Sequence, residues 1–395
     1  MLQSPTMLTL LRTTLGVIAA ACIASASIAS PGGSLPLRVV VNEVEQTDAQ
    51  NAPASGLRQA MANPERLKAA IAAQERHTDA LLQEAGARGT AVSWDQNSNP
   101  VIKVYVDEAS SVTAIPSTLD GIPVQVEFSG RVYALNVECE SRDDQCGESQ
   151  PAANAQIDSL LAPPSATEPG PTEYHPRPVP IGVSTGHIDI TAGTLGCRVS
   201  AGCHTYALSN AHVYANENEG AVGDSIVQPG IFDGGINPED TVGTLADAVP
   251  IDMSETAFNR VDAAIALVSG ATVGTATPPA GYGQPRIDTM PAVVGLNVKK
   301  FGRTTWQTYG YVDAINGVVL VAYNAGDARF VGQIIIKPDS GDFSRPGDSG
   351  SLVVADGGPD DRRPVGLLFA SGTDIAVANP IDDVLDELGV VIDGE

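Results

Sequence analysis

The sequence predicts an all-β domain over residues 181–395, made of short antiparallel strands and preceded by a small α+β module over residues 36–135. Three observations carry this expectation. From Ile181 onward, short apolar runs alternate with Gly, Asn, Asp and Pro, the punctuation of a sandwich or barrel rather than of alternating βα units. Residues 151–180 hold eight of the 28 prolines and no sustained apolar periodicity, so residues 140–180 read as an extended linker. Helical periodicity is confined to one segment of the module and one at the C-terminal end.

Taken in order, residues 1–30 read as an export signal. Arg12 supplies a positive charge, residues 15–23 form a short apolar run, and Ala24-Ser25-Ala26 or Ser27-Ile28-Ala29 offers a cleavage site. The run is too short to span a bilayer. In the module, Asn63 suits a helix cap and Pro64 the first helical turn, where its missing N–H costs nothing. Leu67, Ile71, Leu81, Leu82 and Ala85 then form an apolar stripe, and Gly86 can end the helix. Strand-like runs follow at 90–94, 101–106, 122–128 and 131–135. The second domain predicts strands at 194–199, 206–213, 241–245, 262–268, 318–323, 331–337, 351–355 and 365–369. A helix over 380–388 follows, with Val384, Leu385 and Leu388 on one face.

Charge narrows the partners. Lys+Arg of 22 against Asp+Glu of 47 leaves a net charge of −25, which repels phosphate backbones and anionic lipid headgroups. Nucleic acid is excluded, and so is a membrane surface once the signal is removed. A secreted or periplasmic location follows. Without the signal, four cysteines remain: Cys139, Cys146, Cys197 and Cys203. Neighbours in sequence would pair as Cys139 with Cys146 and Cys197 with Cys203, although three connectivities are open to four cysteines. Zinc is disfavoured because no Cys-x-x-Cys or paired-His spacing occurs. The other histidines, His77, His175, His187 and His204, have no partner pattern and read as solvated. Asn216, Asn218, Asp224 and Asp233 read as ordinary loop polarity.

Three segments of the second domain carry chemistry. They are Asn210-Ala211-His212, Val261-Asp262-Ala263-Ala264-Ile265, and Gly347-Asp348-Ser349-Gly350. A serine hydroxyl is a poor nucleophile at neutral pH and needs a base to take its proton. Histidine, with an unperturbed pKa of about 6.5, can accept and return that proton. A buried carboxylate fixes the imidazole tautomer and stabilises the imidazolium. Glycines beside the serine let backbone N–H groups converge on a developing oxyanion. The order is His, Asp, Ser, which neither subtilisin-type enzymes nor α/β-hydrolases use.

In these segments the chain resembles the chymotrypsin-like serine peptidases, over roughly residues 181–388. The resemblance implies a double antiparallel β-barrel with the site in the cleft between barrels. It implies His212, Asp262 and Ser349 as the catalytic triad and the N–H groups of Gly347 and Ser349 as the oxyanion hole. Phe301-Gly302-Arg303-Thr304-Thr305 is similar to a segment of the bacterial α-lytic subgroup, which implies that Arg303 pairs with Asp348 and holds the oxyanion loop. Ser351 departs from the glycine usual after the serine motif, and the histidine segment lacks its common cysteine neighbour. Phe343 falls where the floor of the substrate pocket would lie, which disfavours Lys or Arg there.

The resulting expectation is an exported serine endopeptidase that acts on polypeptide and needs neither metal nor organic cofactor. A protease-fold binding or chaperone-like protein, or an esterase with the same triad, are the alternatives. The module reads either as a pro-region that assists folding or as a permanent binding domain.

Overall fold

A computed structural model describes residues 64–83, 86–107, 115–135 and 168–394. The expected export signal, Asn63, Cys139, Cys146 and linker residues 140–167 lie outside the described residues. The first element is α1 (Pro64–Leu82), which starts at the expected proline and buries Ala70, Ala73, Gln74, Thr78 and Leu81. It lies on β1 (Ala87–Trp94) and β2 (Pro100–Val106), and is followed by β3 (Thr118–Leu119), β4 (Ile122–Phe128) and β5 (Val132–Ala134). Ala73 and Leu81 of the helix share a small apolar core with Ile102, Val104, Val106 and Leu119. Ile102, Val104 and Val106 are the alternating positions of β2 that face the helix, in a strand buried along its whole length.

The second half begins with β6 (Ser184–His187), β7 (Gly193–Thr194), β8 (Cys197–Ala201) and β9 (His204–Ser209), then one helical turn, α2 (Ala211–Tyr214). Next come β10 (Ser225–Val227), β11 (Thr241–Ala248), β12 (Ala264–Val268) and β13 (Asn297–Gly302). The long strands β14 (Trp306–Ala322) and β15 (Asp327–Pro338) precede β16 (Leu352–Ala355), β17 (Pro364–Ser371) and β18 (Ala376–Pro380). The chain closes with α3 (Ile381–Leu388) and β19 (Val391–Ile392). The expected C-terminal helix is therefore present, with Val384 and Leu388 buried as its stripe predicts.

Two sheets organise these strands. One runs β19-β8-β9-β12-β11-β10-β6-β7, with antiparallel pairing throughout. The other contains β13-β16-β17-β18-β15-β14, and a further β13–β14 pairing closes those six strands into a ring. Closure removes the open edges that an isolated sheet would expose. A shared core joins Val199, Leu208 and Ile265 of the first sheet to Phe330, Leu352 and Phe369 of the second. The all-β expectation holds.

The module's strands extend the second sheet. β1 pairs antiparallel with β14 through Gly89↔Val319, Thr90↔Val318 and Val92↔Ile315. A Cβ at residue 89 would stand 2.6 Å from the Val318 carbonyl oxygen, so glycine is what lets the two backbones approach. Buried charges cross the same seam. Lys103 Nζ lies 2.7 Å from Asp313 Oδ2 on β14 and 2.7 Å from Glu127 Oε1 on β4. Lys337 of β15 reaches Glu127 at 2.7 Å.

Several expectations change. The predicted strand over 206–213 stops at Ser209, because Asn210 turns the chain into α2. The run at 318–323 is the end of a 17-residue strand whose register shifts three times, which breaks the alternation that would reveal its first half. Residues 168–180, expected within the linker, are packed: His175 is buried, its N–H donates to Gln228 Oε1 at 3.1 Å, and Val179 bridges Val273. His187 is also buried rather than solvated, 3.0 Å from Asp224. Cys197 is a free buried thiol, so the Cys197–Cys203 loop is not formed; Cys203 is disulfide-bonded otherwise. Strand β8 points Cys197 into the core, and burial pushes its thiol pKa up to about 12.

Candidate active site

His212 sits in α2, directly after β9, so the strand end fixes where the imidazole begins. Its backbone N–H donates to Asp262 Oδ1 at 3.1 Å, and its Nδ1 lies 2.5 Å from Asp262 Oδ2. Both side chains are fully buried. A carboxylate accepts only, so Nδ1 carries the proton and Nε2 is left with its lone pair. Nε2 is buried and has no hydrogen-bond partner among the described residues.

Asp262 precedes β12 and is held by three further partners. The Tyr323 hydroxyl donates to Oδ2 at 2.8 Å, at the end of β14. Asn379 Oδ1 accepts from the Asp262 N–H at 3.1 Å, and Asn210 Nδ2 donates to its carbonyl at 2.7 Å. The Tyr323 ring stands edge-on to the imidazole at 5.9 Å. Burial, reinforced by the Asp262 charge, pushes the Tyr323 phenol well above its ordinary pKa. The hydroxyl therefore stays a donor across any working pH.

Ser349 occupies a turn pinned to the first sheet. Thr194 donates its N–H to the Ser349 carbonyl at 2.7 Å and its hydroxyl to the Gly347 carbonyl at 2.9 Å. Gly350 has φ +92°, and a Cβ there would stand 2.2 Å from the Thr194 carbonyl oxygen. Ser349 Oγ donates to the Phe369 carbonyl at 3.2 Å. The Gly347 N–H, held at φ +96°, points into the cleft and donates to the Leu135 carbonyl at 2.8 Å.

Asp348 is where expectation and structure part. Its carboxylate is buried and accepts from the N–H of Thr304 at 2.9 Å, of Thr305 at 3.2 Å and of Arg345 at 3.0 Å. The Thr305 hydroxyl adds a bond at 2.7 Å. Its ionic partner is Lys300 at 3.4 Å, not Arg303. Strand alternation explains the exchange. A Cβ on Gly302 would stand 2.5 Å from Asp348 Oδ1, so even-numbered positions at the end of β13 face the carboxylate. Arg303 faces away and pairs with Asp233 instead, at 2.5 and 2.9 Å, with its guanidinium over the Phe232 ring. Burial holds the Lys300 ammonium pKa below its ordinary value, with the Asp348 charge opposing that shift.

The structure thus joins His212 to Asp262 and holds Ser349 and Gly347 in one turn, with Ser349 Oγ bonded to the Phe369 carbonyl and no hydrogen bond between His212 and Ser349. Sequence reasoning missed Tyr323, Asn379, Asn210, Lys300 and Asp233. Of these only Asn210 lay in a recognised segment; Tyr323 and Asn379 come from strand ends, Lys300 from within β13, and Asp233 from a short 3-10 turn that read as loop polarity. Among the described residues no group of His, Cys, Asp and Glu could hold a metal ion. Nor is any described helix long and apolar enough to cross a membrane.

No family model and no curated protein matches the chain. Among solved structures, Cellulomonas bogoriensis chymotrypsin matches 55% of this chain and 99% of its own at 19% identity and a TM-score of 0.38. Thermobifida fusca protease A matches 55% and 100% at 18% identity and a TM-score of 0.38. Nocardiopsis protease matches 54% and 99% at 18% identity and a TM-score of 0.39. These neighbours are bacterial chymotrypsin-like serine proteases. At such identities the chemistry has to be read from this chain's own side chains.

Proposed function

We propose that this chain is an exported serine endopeptidase that hydrolyses peptide bonds through His212, Asp262 and Ser349. The observation that carries the reading is the buried His212–Asp262 pair, whose imidazole Nε2 has no hydrogen-bond partner among the described residues. A buried polar nitrogen without a partner is costly, and in this reading Nε2 is the atom that receives the serine proton.

In this mechanism the Ser349 hydroxyl swings from the Phe369 carbonyl toward Nε2, and Oγ attacks the scissile carbonyl while Nε2 takes its proton. The oxyanion is met by the N–H groups of Gly347 and Ser349. The two differ in kind, since Gly347 is aimed by its positive φ and Ser349 by the turn that follows. Asp348, tied to Lys300 and three backbone N–H groups, keeps that turn from relaxing. The imidazolium, stabilised by Asp262, then protonates the leaving amine. Water repeats the sequence on the acyl-enzyme.

Export rests on the N-terminal signal pattern. The module's attachment to β14 suits either a folding aid or a lasting accessory domain. Incubation with a fluorophosphonate probe tests the central claim: wild type is expected to label, and Ser349→Ala to lose labelling together with casein hydrolysis. A probe-negative wild type would return the chain to the binding-protein reading. Hydrolysis of short-chain esters without casein would favour the esterase.

A further inference from the structure

A small pocket adjoins the imidazole of His212. Its volume is about 80 Å³, room for a few waters or the charged tip of one side chain. Asp189, Thr191, His212, Asn216, Glu217 and Asn324 are among the residues that line it. No described lysine or arginine does, so its wall carries two carboxylates and one imidazole. The Nε2 of that imidazole is buried and has no hydrogen-bond partner among the described residues. In the mechanism above, this nitrogen hands its proton to the leaving amine. The substrate residue that carries the amine therefore passes beside the pocket.

Strained backbone holds one of the two carboxylates in place. Asn216, Glu217 and Asn218 are consecutive residues at positive φ, +46°, +54° and +90°. Asparagine tolerates this region, but glutamate seldom enters it, because its Cβ crowds the following carbonyl. The run is clamped from two sides. Asn218 Nδ2 donates to the Ile251 carbonyl at 2.9 Å, and its Oδ1 accepts the Ile251 N–H at 2.9 Å. Glu217 accepts the N–H of Asn324 at 3.3 Å and of Ala325 at 3.1 Å, next to the tyrosine that holds Asp262.

Asp189 lies between β6 and β7. Its N–H donates to His187 Nδ1 at 3.1 Å, while His187 Nε2 donates to Asp224 at 3.0 Å. The Asp189 carboxylate is 70% exposed and stands 3.9 Å from the same Nδ1, which as an acceptor has no proton to give it. The chain continues through Thr191, whose carbonyl accepts the Phe232 N–H at 2.9 Å, into Thr194, which pins Ser349.

We propose, on the serine-peptidase reading, that this pocket takes the cationic side chain of a substrate lysine or arginine at the first position after the cut bond. Asp189 and Glu217 supply the opposite charge. A cation there exchanges water for two carboxylates, whereas a glutamate or aspartate at that position is repelled by both.

The full-length protein and a peptide library varied at that one position test this. In kcat/KM at low ionic strength, lysine or arginine should exceed alanine by about tenfold and glutamate by about a hundredfold. The advantage should shrink as sodium chloride is raised. Asp189→Asn and Glu217→Gln should each lower the lysine-to-alanine ratio by at least about threefold, and Asp189→Lys should close most of the gap between lysine and glutamate. A ratio between two substrates does not depend on how much of a variant is folded, so partial misfolding leaves the readout intact. A wild type that labels at Ser349 and cuts peptides without favouring a cation after the bond overturns this inference alone. So does a preference that survives both neutralising substitutions. A wild type that hydrolyses neither casein nor any library peptide overturns the peptidase reading, and this inference falls with it.

Discussion

Tyr323 and His212 engage the same oxygen of Asp262, one as a hydroxyl donor and the other through Nδ1. Tyr323→Phe removes one of the donors that fix this carboxylate and should lower kcat/KM by roughly tenfold, read on a peptide substrate. Lys300 works on the other side of the cleft. Lys300→Met leaves the Asp348 carboxylate buried without its cation and should cost about 3–5 kcal/mol in urea unfolding. Adding Asp348→Asn to it should recover part of the loss. Cys197 supplies a control on packing: its buried thiol, with a pKa raised to about 12, should resist iodoacetamide in the native protein and react once unfolded.

At the scale of elements, the seam between β1 and β14 concentrates both close approach and buried charge. Burial by itself would raise the Glu127 pKa, but hydrogen bonds from Lys103 and Lys337 outweigh it and hold the carboxyl below its ordinary value. A depressed folded pKa means that the contribution is whole above the unfolded value, about 4.3, and is lost as pH falls through the folded one. The stability of wild type should therefore fall on acidification through that window, and Glu127→Gln should flatten the slope. Gly89→Val should be worse at every pH, because its side chain would meet the Val318 carbonyl; limited proteolysis of residues 64–107 reports the loss. Legibility varied along the same elements. α1 and the strands of the module were readable because Pro64 and alternating valines and isoleucines obey simple periods. β13 was not, since Lys299 and Lys300 disguise a buried strand whose charges are answered by Asp356, Asp361 and Asp348, distant in sequence. Short polar strands such as β6 and β10 carry too few apolar residues to announce themselves.

For the molecule as a whole, two sheets carry the candidate residues: His212 and Asp262 flank strands of the first, and Ser349 precedes β16 of the second. The three short segments stood out in the sequence because each has a local composition that its chemistry demands. What holds them could not be anticipated: Tyr323 and Asn379 arrive from strand ends defined only by the closed ring, and the partner of Asp348 turned on which face of β13 looks inward. That ring makes β14 unusual. One continuous ribbon begins at Trp306, beside the lysine that steadies the serine turn, and hands on to the tyrosine that steadies the histidine. Between those ends it carries β1 and β5. Deuterium uptake along 318–322 thus acts as a gauge of occupancy. Amides shielded while those neighbours are seated should exchange faster once they depart, and any loosening of the ribbon would be felt first at its tyrosine terminus, one hydrogen bond from the Asp262 carboxylate.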